Sequence, residues 1–164
     1  MGASGWNYFT PYQEDVEQAL QSLRNEVFEN RAYGEERRKP SDFDLLPPER
    51  KWAFEGVHDT EPEIEDDGFS SIEELLEEAA EDGTHSILDI QRTATGPDFA
   101  VAWPAPEEAL KNVFGSSKPT HEQIAEKDFE LIEALDLERW QAVFLTVYKD
   151  GKPSEIYFEG VSGD

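Results

Sequence analysis

Trp52 to Gln91 is a run of forty residues that holds fourteen carboxylates and no lysine or arginine. Across the chain 38 acidic residues face 14 basic ones, a formal charge of -24 over 164 residues. More than half of that excess therefore sits in a quarter of the sequence. Self-repulsion of this size opposes a compact state, so the charge must serve solvation or a partner. An aromatic content of 12% argues against a disordered chain, because disordered acidic sequences are poor in aromatics. Four Trp, five Tyr and ten Phe can each bury on the order of 150–250 Å². The expectation is a folded core inside an acidic shell.

The length suits a single α+β domain, residues 1–164, with enough chain to bury a core. Cysteine is absent, which excludes a disulfide framework, thiolate metal sites and cysteine catalysis. No basic stretch followed by an apolar run opens the chain, and no segment approaches about 18 apolar residues. A cytoplasmic protein is expected. Direct binding to nucleic acid or to an anionic membrane is disfavoured, since both need a positive surface.

Local signals place the elements. Thr10, Pro11 and Gln13 read as a capped helix start. Val16, Ala19, Leu20, Leu23 and Val27 recur at helical spacing, giving about five turns that end near Asn30 to Gly34. A long loop, 32–69, follows. Arg31, Arg37, Arg38, Lys39, Arg50 and Lys51 make its first part neutral to slightly basic, and Pro48 could open a short helix holding Trp52 and Phe54. Such loops are uncommon in compact domains and are usually functional or mobile.

Ser70 or Ser71 caps a second helix, with Glu73 or Glu74 three residues on, and Gly83 stops it. Ile72, Leu75, Leu76, Ala79 and Ala80 form its apolar face. Glu73, Glu74, Glu77, Glu78 and Glu81 form the other. Like charges four apart cost a few tenths of a kcal/mol each, so the leucine face has to hold this helix.

Thr84–Thr93 and Asp98–Trp103 read as strands joined by the turn Ala94-Thr95-Gly96-Pro97 into an antiparallel hairpin. Pro104 and Pro106 open a short helix with Leu110, Val113 and Phe114, ended by Gly115. Thr120 and Gln123 form a capping box for a helix carrying Ile124, Phe129, Ile132 and Leu135. Trp140–Tyr148 and Glu155–Val161 flank Asp150-Gly151, the strongest short hairpin signal in the chain. The expected architecture is an antiparallel sheet of about four strands, made from two hairpins, with helices on one face.

Candidate chemistry is sparse. His85 and Asp89 lie four apart on the expected strand, hence on one face, and could serve a small hydrolase or isomerase with loop 32–69 as a lid. His121 stands in the first turn of a capped helix, where a solvated side chain is the ordinary outcome, and His58 precedes an acidic loop. That loop, Asp59 to Gly68, could screen a cation, but it fails the EF-hand pattern: Ile64 takes the glycine position and Ser70 the bidentate glutamate position. No G-x-S-x-G, P-loop, dinucleotide or HExxH pattern occurs. No metal site or cofactor is implied. Trp6, Tyr8, Phe9 and Tyr12 form an aromatic opening that could bind a ligand but more often staples a chain end to a core.

The opening GWNYFTPYQ, the helix after it and the stretch GTHSILDI resemble small uncharacterised acidic bacterial proteins. The resemblance implies a bacterial origin. It implies no activity and transfers no functional residue.

These features favour a non-enzymatic binding or inhibitory protein that occludes a basic protein partner, of the immunity-protein, antitoxin or DNA-mimic kind. The residues expected to meet that partner are Glu61, Glu63, Glu65, Asp66, Asp67, Glu73, Glu74, Glu77, Glu78 and Glu81. A structural or adaptor subunit is the third alternative.

Overall fold

The computed structural model describes residues 4–34 and 67–163. Its centre is the Asp150-Gly151 hairpin. Both turn residues are left-handed, with φ of 53° and 77°, which matches the twist of the strands they join. The strands are β4 (Gln141–Lys149) and β5 (Lys152–Val161), paired antiparallel. Ile156 to Ser162 are all buried, because β5 has a strand on either side and helices above and below. Gly160 meets a tight contact there: a Cβ would lie 2.8 Å from that of Ala142 and would collide with the Trp6 indole.

On the far side of β5 lies β1 (Gly5–Pro11), antiparallel in the register Trp6↔Gly160 to Pro11↔Glu155. The aromatic opening is thus a strand, and this corrects the expected helix start. Trp6, Tyr8 and Thr10 alternate inward at 1%, 3% and 5% exposure, a period of two that overrides the capping pattern at Thr10. Pro11 is tolerated at the end of an edge strand, where no ladder donor is needed. Helix α1 (Val16–Glu29) starts later, capped by Asp15, whose side chain accepts the Gln18 amide.

The other side of the sheet overturns the expected topology. Strand β3 (Val101–Pro104) runs parallel to β4, and β2 (Arg92–Thr93) runs parallel to β3. The sheet is five-stranded and mixed, in the order β1-β5-β4-β3-β2. Three helices lie between β3 and β4: α3 (Glu107–Phe114), α4 (His121–Ala125) and α5 (Glu130–Ala134). They form the crossover that returns the chain to start β4 parallel to β3, whereas β2 and β3 are joined by residues 94–100 alone.

Most of Thr84–Thr93 is not a strand. His85 is left-handed at φ 53°, and Ser86 caps a single 3-10 turn, Ile87–Asp89. The Thr84 amide donates to Asp89 Oδ1 at 2.6 Å and the Leu88 amide to Ser86 Oγ at 3.2 Å. Side chains that capture nearby backbone donors compete with a ladder, and here they win.

Helices cover both faces of the sheet, not one. On the first face Trp6, Tyr8, Ala142, Ile156 and Phe158 pack against Leu20 and Leu23 of α1, Leu75 of α2 (Ile72–Glu78) and Ile87, Leu88 and Ile90. On the second, Val143, Leu145, Val147 and Tyr157 pack against Leu110, Phe114, Ile124, Leu131 and Leu137. The single helix expected after Thr120 is two. Its capping box is present, but Phe129 turns left-handed at φ 65° and α5 restarts after it.

The expected helix at Pro48 with Trp52 and Phe54 lies outside the described residues, as does most of loop 32–69. Its described ends are tied together: Arg31 Nε lies 3.3 Å from Asp67 Oδ1, Arg31 Nη2 donates to the Phe69 carbonyl at 3.0 Å, and the Tyr33 hydroxyl bonds Asp67 Oδ2. Among the described residues no helix is long and apolar enough to cross a membrane.

Candidate functional site

The acidic helix is built by its own first turn. Ser71 Oγ accepts the Glu74 amide at 3.2 Å, while the Ser70 amide and hydroxyl donate to Glu74 Oε2 at 2.9 and 2.8 Å. Those bonds hold the Glu74 carboxyl below the usual carboxylate range. Negative charge suits the start of a helix and opposes its end. Glu77 and Glu78 fall in the last turn with no basic residue beside them, which fits a helix that stops at Glu78 instead of reaching Gly83. Of the expected apolar face, Leu75 is buried, Ile72 packs against the core, and Ala80 is exposed.

Glu73, Glu74, Glu77, Glu78 and Glu81 are all exposed. None of the ion pairs among the described residues involves them. Glu73 is within electrostatic reach of the buried Arg24 guanidinium, which burial pushes down and Glu73, Glu17 and Asp89 push up. Asp67 differs from the other expected contact residues, because it is committed to Arg31 and Tyr33. Glu61, Glu63, Glu65 and Asp66 lie outside the described residues, together with His58 and most of the acidic loop.

His85 and Asp89 do not share a strand face. Asp89 is 1% exposed and accepts from the Thr84 amide and hydroxyl on one oxygen, at 2.6 and 2.8 Å. Its other oxygen has no hydrogen bond of good geometry, although the Ser162 hydroxyl is near enough to favour the charged form. Burial pushes its carboxyl up, against the pull of Thr84, His85 and Ser162. His85 Nδ1 lies 2.7 Å from Ser4 Oγ and 3.4 Å from Ser162 Oγ. The two side chains belong to a polar cluster that ties the first described residue to the end of β5. A general base needs its acceptor turned toward a substrate; Asp89 is turned toward Thr84.

Two pairs emerge that sequence spacing does not show. His121 stacks on Phe9, with ring centroids 3.9 Å apart at 24°, and its Nδ1 is 2.8 Å from Glu155 Oε2. Both side chains are about a third exposed, and they line a cleft of about 570 Å³ with Tyr148, Lys149, Asp150 and Ser154. The cleft opens where the β4–β5 ladder slips at Val147/Tyr148 and the Tyr148 amide donates to the Pro119 carbonyl. A carboxylate fixes the orientation of such an imidazole. Among the described residues, no group of three His, Asp or Glu side chains could hold a metal ion.

The second pair is Glu159 with Tyr157, both fully buried on the second face. The Tyr157 hydroxyl donates to Glu159 Oε2 at 2.6 Å, and the Ile132 amide donates to Oε1 at 3.0 Å. Burial pushes both groups up. Glu159 thus caps α5 from the sheet, in place of the side-chain cap that its own N-terminus lacks. Alternation along β5 places Glu159 on one face but cannot reveal that a helix covers it.

The chain matches no family model, no curated protein and no solved structure.

Proposed function

We propose that the protein is a non-enzymatic acidic binding protein that occludes a basic protein partner, in the manner of an immunity protein, an antitoxin or a DNA mimic. One observation supports this: the exposed Glu73, Glu74, Glu77, Glu78 and Glu81 line a seven-residue helix and its exit, and none of them has an ion-pairing lysine or arginine among the described residues. Uncompensated charge on a folded surface is unfavourable to that surface, and a basic partner relieves it. Concentrated charge of one sign also accelerates encounter with the opposite sign. The proposal places the protein in the bacterial cytoplasm, with which a sequence without cysteine is compatible.

The test is to immobilise the chain, retrieve proteins from the native host, and measure association of the purified candidate. A partner with a basic surface is expected, its association rate falling steeply with salt. The triple variant Glu73→Gln, Glu77→Gln, Glu81→Gln should slow association about tenfold with little change in dissociation. Retrieval of no basic protein, or retention indifferent to salt, removes the proposal. The hydrolase or isomerase alternative on His85 and Asp89 has less support, since Asp89 is buried and bonded to Thr84.

A further inference from the structure

Phe99 is 64% exposed, more than Tyr12 at 40% or Phe129 at 41%. A single exposed apolar residue is ordinary, but Phe99 is held in place. Its ring packs on Trp140, with centroids 5.5 Å apart at 42°. Two left-handed backbones flank the pair, Ala100 at φ 55° and Trp140 at φ 66°, conformations that L-residues with a Cβ adopt at a cost. The Ala100 amide donates to the Trp140 carbonyl at 2.8 Å, and the Trp140 amide to the Val161 carbonyl at 3.0 Å. The next residues, Ala100 and Val101, are buried at 3% and 0%. The chain therefore passes from exposed to buried within one residue and leaves the phenyl ring outside.

The pair adjoins the end of the acidic stretch. The Trp140 indole lies so close over Gly163 that any Cβ there would collide with it. Gly163 in turn meets Gly83, where a Cβ would lie 3.0 Å from the Gly163 amide nitrogen. The Ser162 hydroxyl donates to the Asp82 carbonyl at 3.3 Å. Contacts through the buried Gly163, Gly83 and Ser162 thus link Trp140 to Asp82, at the exit of the glutamate helix. Arg92, close to Phe99 in the chain, pairs with Asp98 at 3.1 Å, and the exposed Arg139 precedes Trp140.

We infer that Phe99, seated on Trp140, is the apolar anchor of the acidic interface, and that its occupant is a basic protein surface presenting an aliphatic or aromatic patch among its lysines and arginines. This rests on the function proposed above. Long-range charge brings such a surface to the glutamate helix, and the desolvated aromatic ring supplies the short-range affinity. A ring already packed against Trp140 has less freedom to lose on binding than an unsupported one.

The test uses two synthetic peptides of equal length and charge, one alternating arginine with serine and the other arginine with leucine. Each is titrated into the full chain and into Phe99→Ala, Phe99→Leu and the triple variant Glu77→Gln, Glu81→Gln, Asp82→Asn. The leucine peptide should bind the wild type about tenfold more tightly than the serine peptide. Phe99→Ala should remove most of that ratio, Phe99→Leu should retain it, and the charge variant should weaken both peptides equally. Amide shifts on binding the leucine peptide should centre on residues 98–100 and 139–141. Because Phe99 is exposed, both substitutions should leave the circular dichroism spectrum unchanged. A wild-type ratio near one, or a ratio that survives Phe99→Ala, overturns the anchor. If the charge variant binds both peptides as the wild type does while Phe99→Ala still loses the ratio, the anchor stands and the charge-based function fails.

Discussion

Each face of the sheet hides one acid that stitches a short helical piece to the core, and the two are surrounded differently. Asp89 holds the 3-10 turn on the first face through Thr84, with His85 and Arg24 in electrostatic reach. Glu159 holds α5 on the second face through the Ile132 amide and the Tyr157 hydroxyl, and its charged neighbour is Asp128, which adds to the upward push of burial. Both carboxyls are raised by burial. Only the first is opposed by positive charge. The lesson is that one structural device, a buried acid accepting from backbone amides, carries a different proton linkage according to what packs around it.

Truncation should show what the two acids share. Asp89→Ala strands the Thr84 amide, and Glu159→Ala strands the Ile132 amide and the Tyr157 hydroxyl. Each should destabilise by about 3 kcal/mol in denaturant unfolding. A loss below about 1 kcal/mol in either would mean that the turn or helix is held by apolar contacts alone.

Isosteric neutralisation should show the difference. Glu159→Gln keeps an acceptor for Ile132 and relieves both the buried charge and the repulsion from Asp128, so it should stabilise at pH 7 by about 1 kcal/mol. The sign follows from linkage. A carboxyl raised in the folded state holds an extra proton between its unfolded and folded pKa values. Stability therefore falls as pH climbs through that window, and the whole penalty applies above it. The gain from Glu159→Gln should be nearly absent near pH 4, where the unfolded carboxyl also takes up its proton. Asp89→Asn should change stability at pH 7 by less, about 0.5 kcal/mol either way, because it also gives up attraction to His85 and Arg24. Equal gains from the two amides across pH would break the comparison and leave burial as the sole cause.

The smallest effect belongs to the exposed acids. Glu77→Gln, Glu78→Gln and Glu81→Gln together should raise the melting temperature slightly at low salt, because Glu73/Glu77 and Glu74/Glu78 are like charges four apart in α2, each pair costing a few tenths of a kcal/mol. Salt screens such charges over about 10 Å at 0.1 M, so the gain should fade as NaCl is added. Buried Asp89 and Glu159 should respond little to the same salt. A triple variant that melts lower than the wild type would mark the glutamate face as internally compensated.

Much of the architecture was legible where a few neighbouring residues decide it. Asp150-Gly151 demanded a hairpin, Thr120 and Gln123 a capping box, Gly115 the end of α3, and the spacing from Ala19 to Val27 a buried helix face; all are present. Failures came where local and distant partners compete. Alternation at Thr84–Thr93 suggested a strand, but Ser86 and Asp89 claim the amides that a ladder would need. The capping residues at Thr10 and Pro11 were overruled by seven paired positions against β5. Of the expected interface, the glutamates of 73–81 are exposed as read, while Asp67 closes a clamp with Arg31. His121 looked solvated because Glu155 lies 34 positions away and Phe9 more than a hundred.

The sequence by itself determined the charge, its crowding between Trp52 and Gln91, the buried face of α1 and the tight turn, because each depends on residue type or on contacts within a turn or two. The tertiary structure alone decided that β3 and β4 run parallel, that helices cover both faces, and that Asp89 and Glu159 are buried while Phe99 is not. Strand pairing and desolvation depend on what arrives from elsewhere in the chain. A carboxylate or a phenyl ring carries no local sign of what will cover it.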